Sequence, residues 1–107
     1  MAKSPQQRPM EESGVATKTR VRTKKPSMYR VILLNDDFTP MDFVVSVLQS
    51  VFDKTREEAV EIMMQVHQTG VGVAGVYTFE IAETKAATVV AMAQRSQHPL
   101  QCEIEKV

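Results

Sequence analysis

The sequence predicts an α+β fold with elements in the order β-α-α-β-α-β: a small three-stranded antiparallel sheet backed by helices on one face. Three observations predict it. Hydrophobic periodicity is absent from Met1 to about Pro26 and starts directly after it. Beyond that point, apolar runs of strand type alternate with runs of helical spacing. Capping residues and glycines then punctuate the runs at the places where elements should begin and end.

Residues 1–26 are rich in Gln, Pro, Ser, Thr, Lys and Arg and too polar to offset the entropy of ordering, so a disordered basic N-terminal extension is expected there. It holds seven Lys/Arg and two Glu, a net +5, whereas the rest of the chain holds six basic and eleven acidic residues, a net −5. The formal charge of zero therefore hides a basic arm tied to an acidic body. The domain is expected over 27–107, small but large enough to fold without staples.

Tyr29 to Leu34 is rich in β-formers and reads as a strand largely buried in the sheet. Thr39 as N-cap, Pro40 at the first helical position and Asp42 three residues after the cap announce a helix. Val44, Val47, Leu48 and Val51 give it one apolar stripe, which Asp53-Lys54 breaks. Thr55 and Glu58 form a capping box for a second helix with Ala59, Ile62, Met63 and Val66 inward, and Gly70 is its stop. Gly72 to Ile81 reads as a Gly-interrupted strand region, and Glu83 to Gln97 as a third helix. After Pro99, Leu100 to Glu105 alternates strictly, the pattern of a strand with one wet face.

Chemistry concentrates at Asn35-Asp36-Asp37, three side-chain acceptors in a row between a strand and a helix start. A turn is one explanation, since Asn and Asp satisfy nearby backbone donors. The other is a site for a cationic hydrogen-bond donor, completed by His67 at the margin of the second helix's apolar stripe. Met41, Met63 and Met64 fill core gaps or line an apolar ligand group. Metal ligation has Asp, Asn and His available but no His-x-x-x-His pair and no Cys partner, and His98 offers no ligand spacing. Neither Ser46 nor Ser50 lies in a nucleophile-elbow context, and Cys102 sits on an expected strand. Gly70, Gly72 and Gly75 do not make a phosphate-binding G-x-G-x-x-G. Cys102 is the only cysteine, so an internal disulfide is impossible. The basic arm interleaves no aromatics with its charges and the body is acidic, which argues against a specific nucleic-acid site. No apolar run approaches the ~18 residues of a membrane span, and Met1 to Gln7 has no apolar signal core. A cytoplasmic protein without a membrane partner is expected.

The run from Pro26 to Met41, PSMYRVILLNDDFTPM, resembles the signature of ClpS, the bacterial N-end rule adaptor family of the ClpAP protease. So do Val66-His67, Gly75-Val76-Tyr77-Thr78, Ala82-Glu83-Thr84-Lys85 and His98-Pro99-Leu100, which extends the resemblance over about residues 26–107. It implies a protein that does no chemistry and needs no cofactor or metal. Such proteins bind a free N-terminal Leu, Phe, Tyr or Trp (an N-degron) and deliver it to the ClpA unfoldase. By resemblance, Asn35, Asp36, Asp37 and His67 hold the α-amino group, and Leu34, Thr39, Met41, Val44, Met63, Val66 and Leu100 form the side-chain pocket, with Met41 as the gate excluding β-branched residues. Glu80 and Lys85 match the surface that docks on the ClpA N-terminal domain, and a monomer is expected.

Elementary electrostatics agrees with that implication. An α-amino group titrates near pH 8, so it is mostly cationic at pH 7. Burying it unpaired is costly, and charge-assisted hydrogen bonds of roughly 1.5–3 kcal/mol each offset the cost. His67 has to be neutral to accept such a bond. Two other functions share the residues: a small metal-dependent hydrolase using Asp36, Asp37 and His67, and a ribosomal-stalk-like protein-interaction domain.

Overall fold

The computed structural model describes residues 25–107. The disordered arm expected at 1–26 lies outside the described residues except for Lys25 and Pro26, which are exposed and in neither helix nor strand. The elements follow in the expected order: β1 (Met28–Leu34), α1 (Met41–Phe52), α2 (Arg56–Thr69), β2 (Val71–Thr78), α3 (Phe79–Arg95) and β3 (Gln101–Lys106). The sheet order is β2-β1-β3, antiparallel throughout, so the β-rich first strand is central.

Strand parity decides which face is covered. Val31 and Leu33 of β1 are fully buried, and Tyr29 packs against the same core, joined by Cys102 and Ile104 of β3. On β2 an irregularity opposite Val31/Ile32 places Gly75 opposite Val31 and Gly72 opposite Leu33, with Ala74, itself fully buried, as the extra residue. The inward parity therefore changes along β2, so Val71, Val73 and Val76 stay exposed. The helices lay Val44, Val45, Val47, Leu48 and Phe52 of α1, Ala59, Met63 and Val66 of α2, and Ala82, Val89 and Ala93 of α3 into one core. Each fully buried Leu or Val contributes about 1.5–3 kcal/mol of apolar transfer.

Three local expectations need correction. Thr39 does not cap α1: the N-cap is Pro40, in extended backbone, and no side chain caps it. The Thr39 hydroxyl is turned instead toward the preceding loop, where it donates to Asp36 Oδ2 at 2.7 Å. The second strand stops at Thr78, where pairing with Met28 at the start of β1 ends, so Phe79 and Ile81 begin α3 rather than extend the strand. Ile62 is only partly buried, and Val45 and Phe52 join Val44, Val47 and Leu48 in the buried face of α1, where Val51 is only partly buried. The capping box at Thr55 and Glu58 is present as read, and Asp53, in left-handed backbone, ends α1. Lys85 then closes that end. Its Nζ donates to the Val51 carbonyl at 2.7 Å and lies 5.3 Å from the Tyr77 ring centroid, satisfying one of the carbonyls a helix terminus leaves free.

The contact between α2 and the sheet depends on Gly72. A Cβ there would stand 2.5 Å from Val66 Cγ2 and 3.3 Å from the Ile62 carbonyl oxygen, so the missing side chain is what allows α2 to approach. Gly72→Val is expected to destabilise the domain by about 1–3 kcal/mol through overpacking. A urea titration with an unchanged slope and a lower midpoint would show it; an unchanged midpoint would mean that α2 moves off the sheet freely.

Candidate functional site

The acceptor triplet leaves the central strand at its C-terminal end. Leu34 pairs with Val71, and the ladder is prolonged by one bond, Asn35 N–H to the Gly70 carbonyl at 2.9 Å. Gly70 ends α2 with φ 93°, a left-handed conformation that glycine takes without steric cost, and its own N–H returns to the Val66 carbonyl. His67 sits in the last turn of that helix. One short turn therefore carries the histidine to the acceptors, although 30 residues separate them in the chain.

Asp36 organises the loop. Its Oδ1 accepts the backbone N–H groups of Phe38 at 2.8 Å and Thr39 at 2.7 Å, and its Oδ2 accepts the Thr39 hydroxyl. Desolvation pushes its carboxyl pKa up, but the bonds from Thr39 and Phe38, with the charge of His98, outweigh it and leave the group below the ordinary value of 3.8. A carboxylate offers about four lone-pair positions, so with three in use about one is left to face outward. Asp36 thus builds the turn, while Asn35 and Asp37 stand exposed beside it.

These side chains rim a cavity of about 210 Å³ lined by Asn35, Asp36, Asp37, Thr39, Met41, Val44, Met63, Val66 and His67. Val44, Met63 and Val66 are buried and make an apolar floor, whereas Met41 is 45% exposed and stands at the wall. The space is smaller than the ~300–1,000 Å³ of a drug-sized ligand site and suits one side chain with a polar head. Two residues expected in the pocket do not line it. Leu34 follows the inward Leu33 on β1 and so projects from the opposite face of the sheet. Leu100, 2% exposed, packs in the same core as Val44, Met63 and Val66 and is not among the residues lining the cavity.

His98 is a contributor that sequence reasoning passed over. Gln97, with φ 60°, turns the chain after α3, the His98 N–H bonds the Ala93 carbonyl, and the imidazole meets the Phe43 ring edge-on at 4.6 Å between centroids. From there its charge acts on Asp36, a relation across 62 residues that no local pattern signals. Among the described residues, no group of three or more His, Cys, Asp and Glu is placed to hold a metal ion, so the hydrolase alternative lacks its ligand set. Burial pushes the Cys102 thiol to about 11, and its Sγ faces the Ala86 carbonyl, which makes it a poor nucleophile. No helix of the described residues is long and apolar enough to cross a membrane.

Comparison with known proteins gives one consistent answer. The family model described as ATP-dependent Clp protease adaptor protein ClpS matches residues 24–103. The adapter protein ClpS of Maricaulis maris is 64% identical over 96 residues, covering 90% of this chain and 88% of the relative. That of Caulobacter vibrioides (strain NA1000 / CB15N) is 61% identical over 94 residues, covering 88% and 86%. Among solved structures, Agrobacterium tumefaciens ClpS2 bound to L-phenylalaninamide is similar with a TM-score of 0.75 and 37% identity, covering 78% of this chain and all of that one.

The bonds to Asp36 set an expectation for acid. Because its folded pKa is depressed, its contribution to stability is complete above the unfolded value near 4 and is lost as pH falls through the lower folded value. A carbon-detected NMR titration should give Asp36 a midpoint below 3.8, and Thr39→Val should move that midpoint upward. A midpoint unmoved by the substitution would mean that the hydroxyl does not hold the loop.

Proposed function

The chain belongs to the ClpS family of Clp protease adaptor proteins, and from that membership we propose that it captures the free N-terminal residue of substrate polypeptides in the cavity between β1, α1 and α2 and hands them to a Clp protease. One observation carries the reading: an acceptor-bearing rim stands over an apolar floor in a single small cavity. The α-ammonium donates to Asn35, Asp37, the outward position of Asp36 and a neutral His67. The first side chain, Leu, Phe, Tyr or Trp, descends past Met41 onto Val44, Met63 and Val66, and Thr39 closes the side. No group in this arrangement activates a nucleophile, and the reading requires no bond to be made or broken.

Delivery needs a second surface, which we assign to the start of α3 and to the N-terminal domain of ClpA as its partner. Glu80 is exposed in the first turn and is flanked by Phe79 and Ile81, 44% and 49% exposed, an apolar surround for a charged contact. Lys85, expected on the same surface, is drawn inward to Val51, so its support for docking is to fix α1 against α3. The adaptor acts as a monomer in the cytoplasm, where its ATP-dependent partner finds its fuel.

Two outcomes follow. A fluorescent peptide beginning with Leu or Phe should bind at least about a hundredfold more tightly than its N-acetylated twin, because acetylation removes the ammonium and leaves the acceptors unpaired. Equal binding of both would overturn the reading. Glu80→Lys should leave that peptide affinity unchanged while lowering degradation of a Leu-initiated substrate by ClpAP; undiminished degradation would move the docking surface elsewhere.

A further inference from the structure

A second groove, of about 310 Å³, continues from the first between α1 and α2. Met41 and Met63 line both spaces, so the groove starts at the wall of the cavity. Val45 and Val60 give it an apolar base, Asp42 lies near the Met41 end and Arg56 at the far end. From Met63 to Arg56 is seven residues of α2, about 10 Å of helix. That is the span of about three residues of extended chain.

Resting on the N-terminal capture proposed above, we propose that this groove is a subsite for the substrate residues that follow the first one, taking an apolar third side chain and an acidic fourth. The direction comes from chain geometry. With the α-amino group pinned at Asn35 and His67 and the first side chain in the cavity, an extended chain turns its second side chain away and its third back toward the protein. The third side chain then lies beyond Met41, over Val45 and Val60. The fourth reaches the first turn of α2, where the helix end is already occupied by the Thr55–Glu58 capping box and the Arg56 guanidinium is the group that offers a carboxylate its partner. Arg56 is the one cation among the groove's lining residues. The site thus reads a short N-terminal sequence, with the first residue dominant and the next ones grading affinity.

The test uses the full chain and four peptides with Leu first and Ser second: third residue Val or Ser, and fourth residue Glu or Lys, each with a compensating charge at position nine. Val over Ser at position three should tighten binding by about fivefold, as for partial burial of one apolar side chain. Glu over Lys at position four should add up to about fivefold, as for an exposed ion pair. Arg56→Glu, an exposed change that also suits a helix start, should invert the order at position four and leave the affinity for leucinamide unchanged. Amide chemical-shift changes at Val45 and Val60 should accompany the peptides but not leucinamide. Equal affinities of all four peptides, or an order at position four that Arg56→Glu does not change, would overturn the groove alone. Binding by none, leucinamide included, would overturn the capture reading together with it.

Discussion

The hydrogen bond from Asn35 N–H to the Gly70 carbonyl is the contact on which the site depends. It adds one rung to the β1–β2 ladder at the place where β1 gives way to the acceptor loop and α2 gives way to β2. A backbone bond of this kind contributes only about 1 kcal/mol net. Its effect is geometric, because it locks two chain reversals together. The left-handed Gly70 makes one of them and the Asp36-centred turn makes the other. Without the rung, the ladder would end at Leu34 and Val71, and the acceptors and His67 would be held together less closely.

The acceptor cluster divides its labour by burial. Asp36 is the half-buried member, and most of its hydrogen-bonding capacity goes to its own loop. Asn35 and Asp37 are exposed and supply acceptors to the rim. His98, just beyond the end of α3, favours the ionised form of Asp36. On the proposed reading, Asp36 gives most of its capacity to loop rigidity and one position to the ligand, while Asn35 and Asp37 remain free to face it.

Most of the fold was legible because its signals are local. The β-rich 29–34 run, the capping box at Thr55 and Glu58, the stop at Gly70 and the alternation after Pro99 each encode an element in a few residues. What escaped depends on partners distant in sequence. Pro40 rather than Thr39 is the N-cap, the threonine hydroxyl being turned toward Asp36, and β2 ends at Thr78 opposite Met28, the first residue of β1. The family resemblance puts Leu34 in the pocket, but parity counted from the buried Leu33 sends it to the opposite face. That count needs only a decision on which β1 residue faces inward, so it was within reach of the sequence. His98 was not: its edge-on contact with Phe43 is made across 55 residues.

Met41 joins these parts into one argument about specificity. It is nearly half exposed, on the first residue of α1, and forms the wall shared by the cavity and the groove. An unbranched thioether on three rotatable bonds adjusts to what lies on either side at little cost. A branched Val or Ile in its place would be stiff at χ1 and would fix both spaces at one width. On the proposed reading, the first residue and the third then press on opposite sides of the same side chain. Their contributions to affinity should couple, since contacts that share a partner are not additive. The coupling should vanish when Met41 is truncated to Ala, which removes the shared wall and leaves each side chain its own space. A double-mutant cycle over peptide positions one and three, with and without Met41→Ala, measures that coupling. Additive contributions with Met41 present would show that the cavity and the groove are filled independently.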